Sequence, residues 1–154
     1  MSTPRGAGAA PLDVGGVAAR VAQVHAELMR LTRKRLDEQG IALNHSQVQA
    51  LKRLRANGSM SAGELARAFD YDSGGMTRLL DRLESQGLLQ RQPDPGDRRS
   101  LRIQPTAAGL ALGERLAAIG EAVLAQALSP LSARERQGLL DCLERMLAAL
   151  RQAP

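Results

Sequence analysis

Aromatic residues are almost missing from this 154-residue chain: one phenylalanine, Phe69, one tyrosine, Tyr71, and no tryptophan. A core must therefore come from Leu, Ala, Val, Ile and Met. Hydrophobic residues make up 44% of the chain, enough for one. Such a composition leans helical, because Leu, Ala, Met, Arg, Glu and Gln hold helical backbone at little cost. Cysteine is limited to Cys142, which excludes an internal disulfide framework and fits a reducing compartment. No stretch approaches the ~18 apolar residues of a membrane span. Residues 1–11, MSTPRGAGAAP, are small and proline-containing without an apolar h-region, so they read as a disordered tail rather than a signal peptide, and a cytoplasmic chain is expected. His25 and His45 are the two histidines; they fall in different helices without ligand spacing, so no zinc site is expected. No nucleophile–base pair, paired carboxylates or phosphate-binding loop suggests an enzyme, and no cofactor is implied.

The net charge is +5, unevenly spread. Residues 1–44 carry 6 cations and 4 anions, residues 45–104 carry 10 and 7, and residues 105–154 carry 5 of each. A basic excess fits a nucleic-acid partner. Many soluble proteins share an excess of that size, and its placement is more telling than its total.

Apolar residues at Val14, Val17, Val21, Val24, Leu28 and Leu31 alternate spacings of three and four, predicting a long amphipathic helix over Leu12–Gln39 that ends at Gly40. Its stripe is too long for a small domain to cover, so part of it is expected to meet another chain. Asn44 and Gln47 form a capping box for a helix through Val48, Leu51 and Leu54. Ser61 and Glu64 form a second, for a short helix with Leu65, Ala66 and Phe69 inward. Tyr71-Asp72-Ser73 reads as a turn. A helix over Gly74–Gln86 follows, with Met76, Leu79, Leu80 and Leu83 on one face and Gly87 as its terminator. Extended runs at Leu88–Gln92 and Ser100–Gln104 flank the turn formers Pro93–Asp97, and the second run alternates, with Leu101 and Ile103 on one side and Arg102 and Gln104 on the other, as in a half-exposed hairpin strand. Thr106 caps a helix over Ala107–Ala127, Ser129-Pro130 breaks it, and Ser132 with Glu135 caps a last helix striped by Leu139, Leu143, Met146, Leu147 and Leu150.

The predicted fold is mainly α with a small β-hairpin wing (α+β): a winged helix-turn-helix over residues 45–104, flanked by helical dimerisation regions at 12–44 and 105–154. In such a unit the second helix of the pair fits the major groove of double-stranded DNA, where base edges differ. Its outward face carries Ser73, Gly74, Gly75, Thr77, Arg78, Asp81 and Arg82. Gly74 and Gly75 allow backbone N–H groups to approach a phosphate. Thr77 and Arg78 sit where bases are read, with Arg82 one turn on. The hairpin tip offers Asp97, Arg98, Arg99 and Ser100; the guanidinium groups suit phosphates or the minor groove. Asp97 would repel phosphate, so it is expected to pair with an arginine and stabilise the wing. The competing reading makes Arg78 and Arg82 a solvated face with Asp81 as partner, and the tip mere surface charge. Both patches follow a helix-turn-helix in register, which favours DNA.

The stretch Ser61–Gly109 resembles the MarR family of bacterial regulators. The likeness rests on Met76-Thr77-Arg78-Leu79-Leu80-Asp81-Arg82-Leu83-Glu84, on Gly87-Leu88-Leu89, on Asp97-Arg98-Arg99 and on Thr106-Ala107-Ala108-Gly109. Family-like helix order extends over Leu12–Leu150. The resemblance implies a homodimer with intertwined terminal helices, a palindromic operator, commonly repression, and release of DNA by a small effector, often an aromatic acid. The effector site it implies lies between the first, second and fifth helices and the lobe. Met29, Arg33 and His45 are the candidates, with Arg33 pairing an anion; the alternative leaves Arg33-Lys34-Arg35 as a solvated cluster. The family often places an aromatic residue where Val48 stands, and Thr or Ser where Asn44 stands. Some relatives sense oxidants through a cysteine near the first helix. Cys142 lies in the last helix, where inert packing is expected. The alternative function is a winged-helix protein-interaction module without DNA binding, or an oxidant-sensing regulator.

Overall fold

The computed structural model describes residues 13–69, 73–97 and 99–152. The expected tail at 1–11, the turn residues Tyr71 and Asp72, and Arg98 lie outside them. The element order is α1 (Val14–Glu38), α2 (His45–Asn57), β1 (Met60–Ser61), α3 (Ala62–Phe69), α4 (Ser73–Ser85), β2 (Leu89–Pro93), β3 (Leu101–Pro105), α5 (Ala107–Leu128) and α6 (Ala133–Arg151). The mainly helical class with a β wing is as expected.

Each helix start has a local cause. The Asp13 carboxylate accepts from Gly16 N at 2.9 Å, so α1 begins at an aspartate cap rather than at Leu12. Reciprocal capping boxes open α2 through Asn44 and Gln47, and α6 through Ser132 and Glu135. Ser61 and Glu64 exchange the same pair of bonds at the start of α3. Thr106 Oγ1 accepts from Gly109 N at 3.1 Å to cap α5. Gly40, Gly58 and Gly87 take positive φ where α1, α2 and α4 end.

The sheet has three antiparallel strands in the order β1-β3-β2. Met60 lies opposite Ile103, and Arg91 opposite Ile103 on the other side. The hairpin strands run one residue later than expected. β1 was not expected at all, since two residues carry no periodicity.

The core fills the space enclosed by α2, α3, α4, the sheet and the inner part of α5. Leu51, Leu54, Leu65, Met76, Leu80, Leu83, Leu89, Ile103 and Leu116 are all but inaccessible. Phe69 packs at its edge. The two ends of the chain differ sharply from this. Val14, Val17, Val21 and Val24 are exposed on α1, and α6 buries no residue, although Leu139, Leu143, Met146, Leu147 and Leu150 line one side. α6 leaves α5 through a bend of 114°. Cys142 is exposed within the single chain, which corrects the expectation that it is packed. Among the described residues no single helix is long and apolar enough to cross a membrane.

Candidate nucleic-acid interface

α4 is amphipathic because Met76, Leu79, Leu80 and Leu83 recur at helical spacing and are buried, which turns the intervening residues outward. Gly74, Thr77, Arg78, Asp81 and Arg82 are exposed, and Gly75 is half-buried. The Ser73 side chain lies outside the described structure. Arg78 and Arg82 thus present two guanidinium groups one turn apart on a face the lobe does not cover.

Asp81 is not free to serve as the counter-ion of that face. It pairs with Arg91, whose Nη2 lies 2.7 Å from Asp81 Oδ1, while Arg91 Nη1 bonds Glu84 Oε2. Arg91 N also donates to Glu84 Oε1 at 3.3 Å. Strand β2 therefore takes up the negative charge of α4, and Asp81 is not the partner of Arg78 or Arg82. Among the described residues neither arginine has an ion pair.

The wing is held by a second arginine. Arg102 Nη2 donates to Ser59 O at 2.8 Å and to Ser59 Oγ at 3.0 Å, and Nη1 lies 3.7 Å from Glu64 and 3.8 Å from Asp94. Asp94 Oδ1 in turn accepts from Gly96 N at 2.8 Å, shaping the tip. Sequence alternation had turned Arg102 toward solvent; it is half-buried and binds the wing to α3 and the α2–β1 loop. Leu101, expected inward with Ile103, is 49% exposed near the tip. Asp97 stabilises the turn differently than expected. Its Oδ1 accepts from Arg99 N at 3.0 Å and its carbonyl from Ser100 N at 2.9 Å, and among the described residues it forms no ion pair with an arginine. Arg99 is exposed beside it and Ser100 half-buried; Arg98 lies outside the described residues.

Neither Arg91 nor Arg102 was singled out from sequence. The available signal was the pair Asp81 and Glu84 on the flank of α4, followed closely by a strand with a single cation, Arg91.

A cavity of about 780 Å³ opens between α1, α2 and α5. Met29 and Arg33 of α1 and His45 at the start of α2 all line it. So does His25, which is exposed. Arg33 is already engaged: Nη1 donates to Leu43 O at 2.9 Å and Nε lies 3.1 Å from Asp37 Oδ1. It ties α1 to the loop before α2 rather than standing in a free cluster. Phe69 is not among the lining residues; the described lining combines aliphatic side chains with two imidazoles, three cations and Glu121.

A model of the MarR family matches residues 43–101, the stretch that runs from the loop before α2 to the start of β3. The HTH-type transcriptional repressor NicR of Pseudomonas putida is 31% identical over 105 residues, covering 68% of this chain and 66% of NicR. An uncharacterised HTH-type transcriptional regulator of Mycobacterium bovis is 30% identical over 128 residues, covering 82% of this chain and 90% of that protein. Against several other curated relatives the matched stretch spans only about half of their length. The crystal structure of the reduced form of MarR from E. coli superposes with a TM-score of 0.72 at 26% identity, covering 90% of this chain and 99% of that one.

Proposed function

The chain belongs to the MarR family, and from that premise we propose that it is a dimeric, cytoplasmic, DNA-binding transcriptional regulator, acting as a repressor on a palindromic operator. One observation carries the reading: Arg78 and Arg82 stand exposed on α4 while Asp81, the carboxylate between them, is held by Arg91. A helix face that kept its own counter-ion would be a solvated surface. This one has its negative charge drawn sideways onto a strand, which leaves a cationic ridge for the major groove. Thr77, Gly74 and Gly75 lie at the end of α4 that would approach bases and phosphates first. Arg99 and Ser100, with Arg98 and the Ser73 side chain outside the described residues, complete the proposed contact set.

Residues 45–104 form the reading lobe in this proposal, and 12–44 with 105–154 the dimerisation region. Exposed apolar stripes on α1 and α6 support a second copy as their cover. Two lobes on a two-fold axis would place the α4 helices in successive major grooves, ~34–36 Å apart. A small organic acid in the cavity lined by Met29, Arg33 and His45 would act where α1 and α5 meet the lobe. It would release DNA by changing the separation of the lobes.

The test is a gel-shift on the DNA upstream of the protein's own gene, with a salt titration. Binding that weakens steeply with salt is expected. Absent or salt-independent binding would instead favour a winged-helix module that recognises protein.

A further inference from the structure

Among the described residues Lys52, a cation of the cavity lining on α2, lacks a partner, whereas Arg33 is engaged. Arg33, Lys52 and Arg55 are the cations of the lining, and Glu121 is its one carboxylate among the described residues. Arg33 is taken up by Asp37 and the Leu43 carbonyl. Lys52 is half-buried on α2, and among the described residues it has neither a hydrogen-bond acceptor nor an ion-pair partner; Glu121 does not pair with it. Its ammonium lies over a glycine of α5, so close that a Cβ at position 120 would stand 2.9 Å from Lys52 Nζ. Arg55, one turn on, lies over a second glycine, where a Cβ at position 113 would stand 3.2 Å from Arg55 Cδ. Residues three apart on a helix share a face, so Lys52 and the exposed Arg55 both bring positive charge to the α2–α5 seam. Leaving a half-buried ammonium without an acceptor is costly, and α5 supplies none at either notch.

We propose that Lys52 and Arg55 are the anion-binding end of this cavity. They would hold the carboxylate of an amphipathic organic acid whose hydrocarbon part lies against Leu28, Met29 and Leu124. The proposal rests on reading the cavity as the effector site and sharpens it, moving the anion from Arg33 to the α2–α5 seam. Arg33 is then a positioning residue for the loop that caps α2. Because Lys52 belongs to the lobe and Gly120 to α5, an anion at this seam bears on the joint between reading lobe and dimerisation helix.

Calorimetry with benzoate and octanoate, beside benzamide and octanamide, tests the charge requirement on the full chain. Fluorescence anisotropy on bound DNA reads release in parallel. At least one carboxylate should bind and its amide should not. Lys52→Gln should weaken binding at least about tenfold, the usual consequence of removing a charge-assisted contact. Lys52→Arg should restore most of it, and Lys34→Gln, at an exposed residue that pairs with Glu38 and does not line the cavity, should stay within about twofold. Gly120→Ala, which keeps the charge but displaces the ammonium, should also weaken binding. Equal affinity in Lys52→Gln, or equal binding of acid and amide, overturns the assignment while leaving the effector reading intact if DNA is still released. Lys52-dependent binding without release supports the site and overturns the effector reading. No binding of either carboxylate to the wild type overturns both.

Discussion

Gly109 lies against the backbone of Leu88 so tightly that a Cβ at position 109 would stand 1.8 Å from the Leu88 oxygen. The same carbonyl accepts from Thr106 N at 3.2 Å, and Thr106 Oγ1 donates to Gly87 O at 2.6 Å. The start of α5 is therefore locked onto the exit of α4, which joins the proposed reading lobe to the helix that would carry the dimer. Since the obstructing atom is backbone, neither side can yield cheaply. Gly109→Ala should destabilise the chain by about 3 kcal/mol, toward the upper end of overpacking costs, measured as a lowered urea midpoint. A midpoint within error of wild type would show that the contact relaxes freely.

Arg91 holds two carboxylates of α4 at once, and its side chain is only 23% exposed. Replacing it removes two charge-assisted bonds and leaves Asp81 and Glu84 uncompensated on the flank that would face phosphate. Arg91→Ala should cost roughly 1–3 kcal/mol of stability and also weaken DNA binding. Asp81→Asn in that background should recover part of the affinity without recovering stability. Chemical denaturation and anisotropy separate the two effects.

Among the described residues nothing covers the α6 stripe, and Leu143 and Leu147 are 44% and 49% exposed. Leu143→Glu with Leu147→Glu should convert a dimer to a monomer at micromolar concentration in light scattering, with helix content lowered mainly at the ends of the chain. A wild-type monomer would contradict the dimer directly.

Acid should loosen the capping boxes before the core. Glu64 is held below its ordinary value of 4.5 by bonds from the Ser61 backbone N–H, then from the Ser61 hydroxyl. Glu135 is held below 4.5 by the Ser132 hydroxyl, then by the Ser132 N–H. A depressed carboxyl stabilises the fold in full above its unfolded value, and the contribution fades as pH falls through the lower folded value. Stability should therefore fall below about pH 4.5, and the double substitution Glu64→Gln with Glu135→Gln should flatten that part of the profile while lowering the plateau above it. Thermal melts from pH 3 to 7 check the shape.

Much of this structure is legible in short signals. Asn44 with Gln47, Ser61 with Glu64, Thr106, and Ser132 with Glu135 each mark a helix start, because an N-cap is a local matter between residues three apart. The amphipathic face of α4 is legible for the same reason. What escaped are relationships between distant segments: Arg102 reaching Ser59, Arg91 reaching Asp81, and the glycine notches of α5 under Lys52 and Arg55. Strand alternation assigned Arg102 to solvent because it cannot show that α3 and the α2–β1 loop lie above that face. Asp97 was expected to meet a guanidinium, and a nearer backbone N–H satisfied it instead. Met29, Arg33 and His45 do line one cavity, but the bond from Arg33 to the Leu43 carbonyl is a loop contact that periodicity does not encode.

Within the proposed interface, the two kinds of arginine should behave differently. Arg78→Ala should cost roughly 1–3 kcal/mol on the preferred sequence and relax the preference for it, as loss of a base contact does. Arg99→Ala at the wing should weaken all sequences alike and reduce the salt slope by about one. Anisotropy titrations on matched and scrambled duplexes at several salt concentrations distinguish them, and identical behaviour of the two variants would remove the division of labour between helix and wing.

The most direct test is a hydroxyl-radical footprint on the DNA upstream of the gene, with wild type beside Arg78→Ala and Arg82→Ala. Two α4 helices reading one face of a duplex should protect two patches separated by about one helical turn, ~10 base pairs, related by a dyad in the sequence. Both patches should fade together in the two variants. A single patch, no protection, or protection unchanged in both variants would contradict a dimer that reads DNA through α4.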